Sequence, residues 1–173
     1  MTMTDPSPSL HLLTRTKDKG SSFYTFHTAS STLSKEFEIE GTSFHVASPD
    51  GTALLYHLPS GGLALRSLLL HDNSKCTPQL LEGDTKGVSL AYFSPCSKFI
   101  VTFQNATEQI SHNLRVFDAS TCKEVHAFQY KYRRESWPPV QFTADEKFVF
   151  HLVSSGIQVY DYLQINYLSP SFR

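Results

Sequence analysis

"AYFSPCSKFIVTFQ", Ala91 to Gln104, sets a polar Ser-Pro-Cys-Ser turn between two apolar runs. In the second run Phe99, Val101 and Phe103 fall on one face and Ile100 and Thr102 on the other, the period of a strand covered on both sides. The same design occurs upstream as "FHVASPDGTALLYHL" from Phe44 and downstream as "VQFTADEKFVFHLV" from Val140. There Phe148, Phe150 and Leu152 repeat the pattern of Phe99, Val101 and Phe103, again as for a strand covered on both sides. In "SPDG" Pro49 presets φ, Asp50 bonds its own backbone and Gly51 accepts positive φ without a Cβ penalty. Ser97 and Glu146 replace that glycine in the later units.

Ser48 lies 46 residues before Ser94, and Ser94 lies 49 before Thr143. A second element, "LRVFDAS" from Leu114, returns as "IQVYDY" from Ile157, with Val159 standing 43 residues after Val116. Two motifs thus repeat in the same order at nearly one period, close to the ~40 to 45 residues of a four-stranded propeller blade of WD type. The middle unit divides into "GVSLAYF", "KFIVTFQ", "HNLRVFD" and "KEVHAFQ", joined by turns.

These spacings predict an all-β chain: an incomplete WD40-like β-propeller of about three four-stranded antiparallel blades. The blades fall at about 42–72, 87–130 and 138–162, inside a partial propeller spanning 11–162. Residues 1–10, rich in Thr, Ser and Pro, read as a disordered N-terminus, and 163–173 as a C-terminal tail. "LHLLTRTKDKGSSFYTFH" reads as a hairpin around Lys19 and Gly20. Propellers close with ~4 to 8 blades, so three blades suggest a truncated form of something longer. An uncovered apolar blade face then predicts self-association, a stabilising partner or low stability.

Composition narrows the classes of function. The chain has 173 residues, 40% hydrophobic, 18% charged and 13% aromatic, with formal net charge −1. Such a balance excludes bulk electrostatic coating of nucleic acid, so any RNA contact must be a local patch. Neither a signal peptide nor an apolar run of spanning length is apparent, and Cys76, Cys96 and Cys122 are scattered and odd in number. The expectation is a cytoplasmic protein without membrane contact.

Catalytic motifs are missing: there is no phosphate loop, dinucleotide fingerprint, nucleophile elbow or zinc-protease motif. The histidines are single and read as structural or surface residues. Asp50, Asp118, Asp145 and Asp161 sit at turns or strand ends and read as turn formers. No cofactor, metal or enzymatic activity is expected. One stretch has the chemistry to bind. In "QYKYRRESWPP" the residues Lys131, Tyr132, Arg133 and Arg134 interleave cations with an aromatic ring, which pairs phosphates and stacks bases. The plainer reading is a solvated loop anchored by the packing of Trp137 and Pro138. Both hold together if the tryptophan is inside and the arginines are outside.

The run "LRVFDASTCKEVHAFQYKYRRESWPPVQFTADEKFVFHLVSSGIQVYD", Leu114 to Asp161, resembles eukaryotic translation initiation factor 2A, a WD-repeat propeller family. The family pattern is an apolar strand ending aromatic-Asp, a Thr-Gly turn, a basic link and Trp-Pro-x-x-x-aromatic-Ser/Thr-x-Asp-Glu. "LRVFD", "STCKE" with Cys122 in place of glycine, "YKYRR" and "WPPVQFTADE" are similar to it. The likeness extends over residues 10–162, including "LHLLTRTKDKGSSFYTF" and "SLAYFSPCSKFIVTFQ", and departs from the family after Asp161. The resemblance implies a non-enzymatic initiation factor that associates with the small ribosomal subunit and supports initiator methionyl-tRNA delivery. Initiator tRNA, mRNA and other initiation factors are the implied partners. The propeller subunit of initiation factor 3 has a similar Trp-Pro segment, but no ribonucleoprotein motif precedes the first blade here. A WD-repeat protein scaffold stays open, and a propeller hydrolase would need an Asp-box that "SPDGTALL" matches only in part.

Overall fold

The computed structural model describes residues 9–16, 20–40, 44–68, 77–107, 110, 112–131, 137–153 and 156–161. Within them lie fourteen strands in four antiparallel sheets and no helix, so no helix is long and apolar enough to cross a membrane. The first sheet holds β1 (Ser9–Thr16), β2 (Gly20–His27) and β3 (Thr32–Ile39). The second holds β4 (His45–Ala47), β5 (Ala53–His57), β6 (Leu63–Ser67) and β7 (Gln79–Leu80). In the third are β8 (Val88–Phe93), β9 (Phe99–Gln104), β10 (Leu114–Asp118) and β11 (Glu124–Phe128). The fourth comprises β12 (Val140–Phe142), β13 (Phe148–Val153) and β14 (Gly156–Asp161). Each strand pairs with its neighbours in sequence, which makes every sheet a meander.

Alternation along the strands turns these meanders into a stack. On β5, Leu54 and Tyr56 join Phe23 and Ile39 of the first sheet, while Leu55 faces the opposite way. With Leu63, Leu65 and Leu81 it packs on Val88, Ile100 and Phe117 of the third sheet. On β9, Phe99, Val101 and Phe103 turn from that seam and pack, with Leu114 and Val116, against Val140 and Val149 of the fourth. All six residues of β9 are buried. A fully buried Leu, Ile or Phe stabilises by roughly 1.5 to 3 kcal/mol, more than a typical net hydrogen bond of about 1 kcal/mol. The apolar seams therefore hold the stack, and hydrogen bonds fix its register.

The repeated turns agree atom for atom. Ser48 Oγ accepts from the Ala53 amide (2.9 Å), Ser94 Oγ from Phe99 (2.9 Å) and Thr143 Oγ1 from Phe148 (3.1 Å). The fourth turn residue has positive φ in every unit: Gly51 at 72°, Ser97 at 62° and Glu146 at 54°. Ser97 Oγ accepts from the Asp50 amide of the preceding sheet (3.4 Å), and Glu146 Oε1 accepts from the Cys96 amide (2.6 Å). The side chain that replaces glycine thus clasps the turn before it. Cys122, likewise in a glycine position, has φ of 57°.

Several details depart from the sequence expectation. The N-terminal hairpin of β1 and β2 is present and is extended to a three-stranded sheet, because β3, "TLSKEFEI", pairs along β2 across an irregularity between Phe23 and Tyr24. The fourth sheet has three strands among the described residues, not four. β7 lies at Gln79–Leu80, beyond the expected end of its blade at 72. β1 already begins at Ser9. Phe148 and Leu152, expected to be covered, are exposed, because no described sheet lies over that side of β13. Residues 1–8, Lys19 and the tail 163–173 lie outside the described residues.

Candidate interaction site

The link between the third and fourth sheets is fixed at both ends. At its start, buried Asn113 bonds Tyr130 reciprocally: Asn113 Nδ2 donates to the Tyr130 carbonyl (2.9 Å) and the Tyr130 amide donates to Asn113 Oδ1 (2.8 Å). A primary amide has the donor and acceptor of a peptide group, so it takes the place of a strand partner. The Tyr130 ring stands edge-on to Phe103 of β9 at 6.0 Å. Lys131 follows and is exposed.

At the far end Trp137, half-buried, meets Tyr92 of β8 edge-on at 5.6 Å and Phe103 at 6.1 Å. These are favourable aromatic geometries. The bond between Trp137 and Pro138 is cis. Tyr92 donates its hydroxyl to the Val140 carbonyl at the start of β12, and burial pushes that hydroxyl's pKa well above its ordinary value. Trp137 is thus part of the seam between the third and fourth sheets. Of the sequence-predicted cations only Lys131 lies among the described residues; Tyr132, Arg133 and Arg134 lie outside them. Asn113 escaped the sequence reading, since a lone Asn before a strand gives no sign of a partner 17 residues away.

On the outer side of the fourth sheet lies an open depression of about 210 Å³, lined by Trp137, Pro138, Gln141, Phe150, Leu152 and Ile157. It is apolar, and no carboxylate or histidine lines it. The acidic turn residues serve their own turns. Asp50 Oδ1 accepts from Ser48 and Thr52, and Asp118 Oδ1 from Ser120 and Thr121. For both, burial acts to raise the pKa, yet these hydrogen bonds hold it below the ordinary value. The Asp145 carboxyl is held down to about 2, first by the Thr143 hydroxyl and then by the Lys147 amide. A depressed pKa is the reverse of what a general acid needs at neutral pH. His57 is tied between the Gly61 and Val88 carbonyls, at 3.0 and 2.9 Å. Among the described residues no group of three His, Cys, Asp or Glu is placed to hold a metal.

Stacked antiparallel meanders of three or four strands make the chain a β-propeller-type module whose described sheets do not close into a ring. No family model matches the chain, and no curated protein matches it in sequence. Among solved structures it is similar to a eukaryotic initiation factor, with a TM-score of 0.64 and 17% identity, over 84% of this chain and 36% of that one. It is also similar to the tricorn protease, with a TM-score of 0.56 and 14% identity, over 83% of this chain and 14% of that one. The chain spans about a third of the length of the first and less of the second. At such identities the likeness is one of fold.

Proposed function

We propose that the chain acts in translation initiation without being an enzyme. As a propeller it associates with the small ribosomal subunit in the cytoplasm, beside other initiation factors, and supports delivery of initiator methionyl-tRNA. The observation that carries this reading is the place of Trp137 and Pro138. The two are the most specific part of the resemblance to initiation factor 2A, and Trp137 packs in a seam of a fold similar to that of a eukaryotic initiation factor. The cationic link Lys131 to Arg134 leads into them, and its first residue is exposed. Carboxylates spent on turns are in keeping with a binding role.

Co-sedimentation with small ribosomal subunits over a salt series tests the proposal. Binding is expected to weaken steeply as salt rises, because pairing cations with phosphates releases counterions. Arg133→Glu with Arg134→Glu should leave the melting temperature unchanged and abolish most of the binding. Binding indifferent to both charge reversal and salt would instead favour a protein scaffold and remove the link from the reading.

A further inference from the structure

The second sheet breaks the repeat at one residue. His57 shares its side of β5 with Leu55, which faces the third sheet, and it stands opposite Leu63. In the later sheets the same place is apolar: Phe103 stands opposite Leu114, and Leu152 opposite Ile157. An imidazole thus enters a seam where the pattern of the chain otherwise provides hydrocarbon.

That imidazole meets two acceptors and no donor. Nδ1 lies 3.0 Å from the Gly61 carbonyl, in the turn that joins β5 to β6, and Nε2 lies 2.9 Å from the Val88 carbonyl, at the start of β8 in the third sheet. A carbonyl oxygen only accepts, and a neutral imidazole carries one N–H. A neutral ring therefore makes one of the two bonds and sets lone pair against lone pair at the other. Imidazolium has an N–H on each nitrogen and makes both. The ring is half-buried, edge-on to Phe44 at 4.9 Å, so the unmade bond is not simply replaced by bulk water.

The charged groups around the ring are few. Arg66 of β6 lies on the other face of its sheet, over the Phe37 ring at 4.0 Å. The third sheet brings Val88, Ile100 and Phe117 to this seam, and β4 adds Val46, none of which titrates. On the connection from β7 to β8, exposed Lys86 runs beside Gly61, and exposed Asp84 accepts the Lys86 amide on Oδ1 (3.1 Å). The lysine opposes a second positive charge there and the aspartate favours it. We propose that His57 is a proton-gated clasp between the second and third sheets: the imidazolium bonds both carbonyls, and loss of its proton releases one of them. Its contribution is complete below the ordinary imidazole value of about 6.5 and is lost as pH rises above it. The proposal is independent of ribosome binding.

Hydrogen exchange on the full chain from about pH 6 to about pH 8 tests it. The reporters are the Leu58 amide, bonded to the Gly62 carbonyl (2.8 Å), and the Leu63 amide, bonded to Thr85 Oγ1 (2.8 Å). The first reads the turn, and the second reads the contact with the connection that leads into β8. After correction for the intrinsic effect of pH, both should lose roughly tenfold in protection as pH rises, the loss of about one hydrogen bond. His57→Phe, which matches Phe103 of the next sheet, should abolish that dependence with unchanged circular dichroism. Should it fail to fold, His57→Gln, neutral at every pH, tests the same point. Nitrogen-15 spectra of the wild-type ring should show a proton on both nitrogens in acid and on one in base, changing together with the protection. Wild-type protection that ignores pH, or a dependence that survives in the variant, would overturn the proposal. A ring that keeps one bare nitrogen across the whole series would overturn it as well.

Discussion

Ser97 and Glu146 occupy the place of Gly51 in their turns, and both keep the left-handed backbone that glycine adopts without strain. For a residue with a Cβ this conformation costs about 1 to 2 kcal/mol. The compensation differs between the two. Ser97 Oγ receives the Asp50 amide at 3.4 Å, a long and weak bond, whereas Glu146 Oε1 receives the Cys96 amide at 2.6 Å. Removing the acceptor of a bond that short costs about 1 to 3 kcal/mol. Ser97→Gly should therefore raise stability, by up to about 1 kcal/mol, because relief of strain exceeds the bond lost. Glu146→Gly should lower it by about 1 kcal/mol, since loss of the clasp outweighs the same relief. Urea unfolding midpoints measure both. Shifts of the same sign in the two variants would mean that the clasp contributes nothing.

Between the third and fourth sheets the strands bring together groups that make the element sensitive to acid. The His151 ring of β13 lies 4.2 Å from Phe128 of β11, and His126 of β11 lies 4.3 Å from Phe128 and 6.3 Å from Tyr160 of β14. Burial lowers the pKa of both histidines; His112 adds to this for His126, and His126 for His151, where Gln158 on the neighbouring strand acts the other way. The folded state thus keeps these rings neutral, while the unfolded chain takes up protons near the ordinary value of about 6.5. Stability is full above that value and falls as pH drops from it through the lowered folded values. Glu124 has the opposite sign: burial raises its carboxyl, so its contribution is lost as pH rises through the carboxylate range. Melting temperatures measured from pH 7.5 down to 5.5 should decline, and less so in His151→Phe. Equal slopes in the two proteins would exclude His151 as the source. The strands of this seam were legible in the sequence because a turn hydroxyl and an apolar alternation recur together. β3 was not, because Lys35, Glu36 and Glu38 dilute its alternation and its pairing shifts register. At the site, Trp137 could be read from its neighbours in the chain, whereas the Asn113 amide pair exists only once Tyr130 is folded beside it.

Stability across the whole molecule should follow the order of the stack, because each sheet touches only its neighbours and gains from each seam it shares. The third sheet is covered on both sides and contains β9, buried along its full length. Among the described residues the fourth is covered on one side only, and most of β14 is exposed. In dilute solution, amide hydrogens of β9 should then exchange slowest and those of β14 much faster, at a free energy well below that of global unfolding. Exchange at β14 that is already as slow as at β9 in dilute monomer would contradict the sheet order as the source of stability. Exchange at one rate in all four sheets would instead indicate that the stack opens as one cooperative unit.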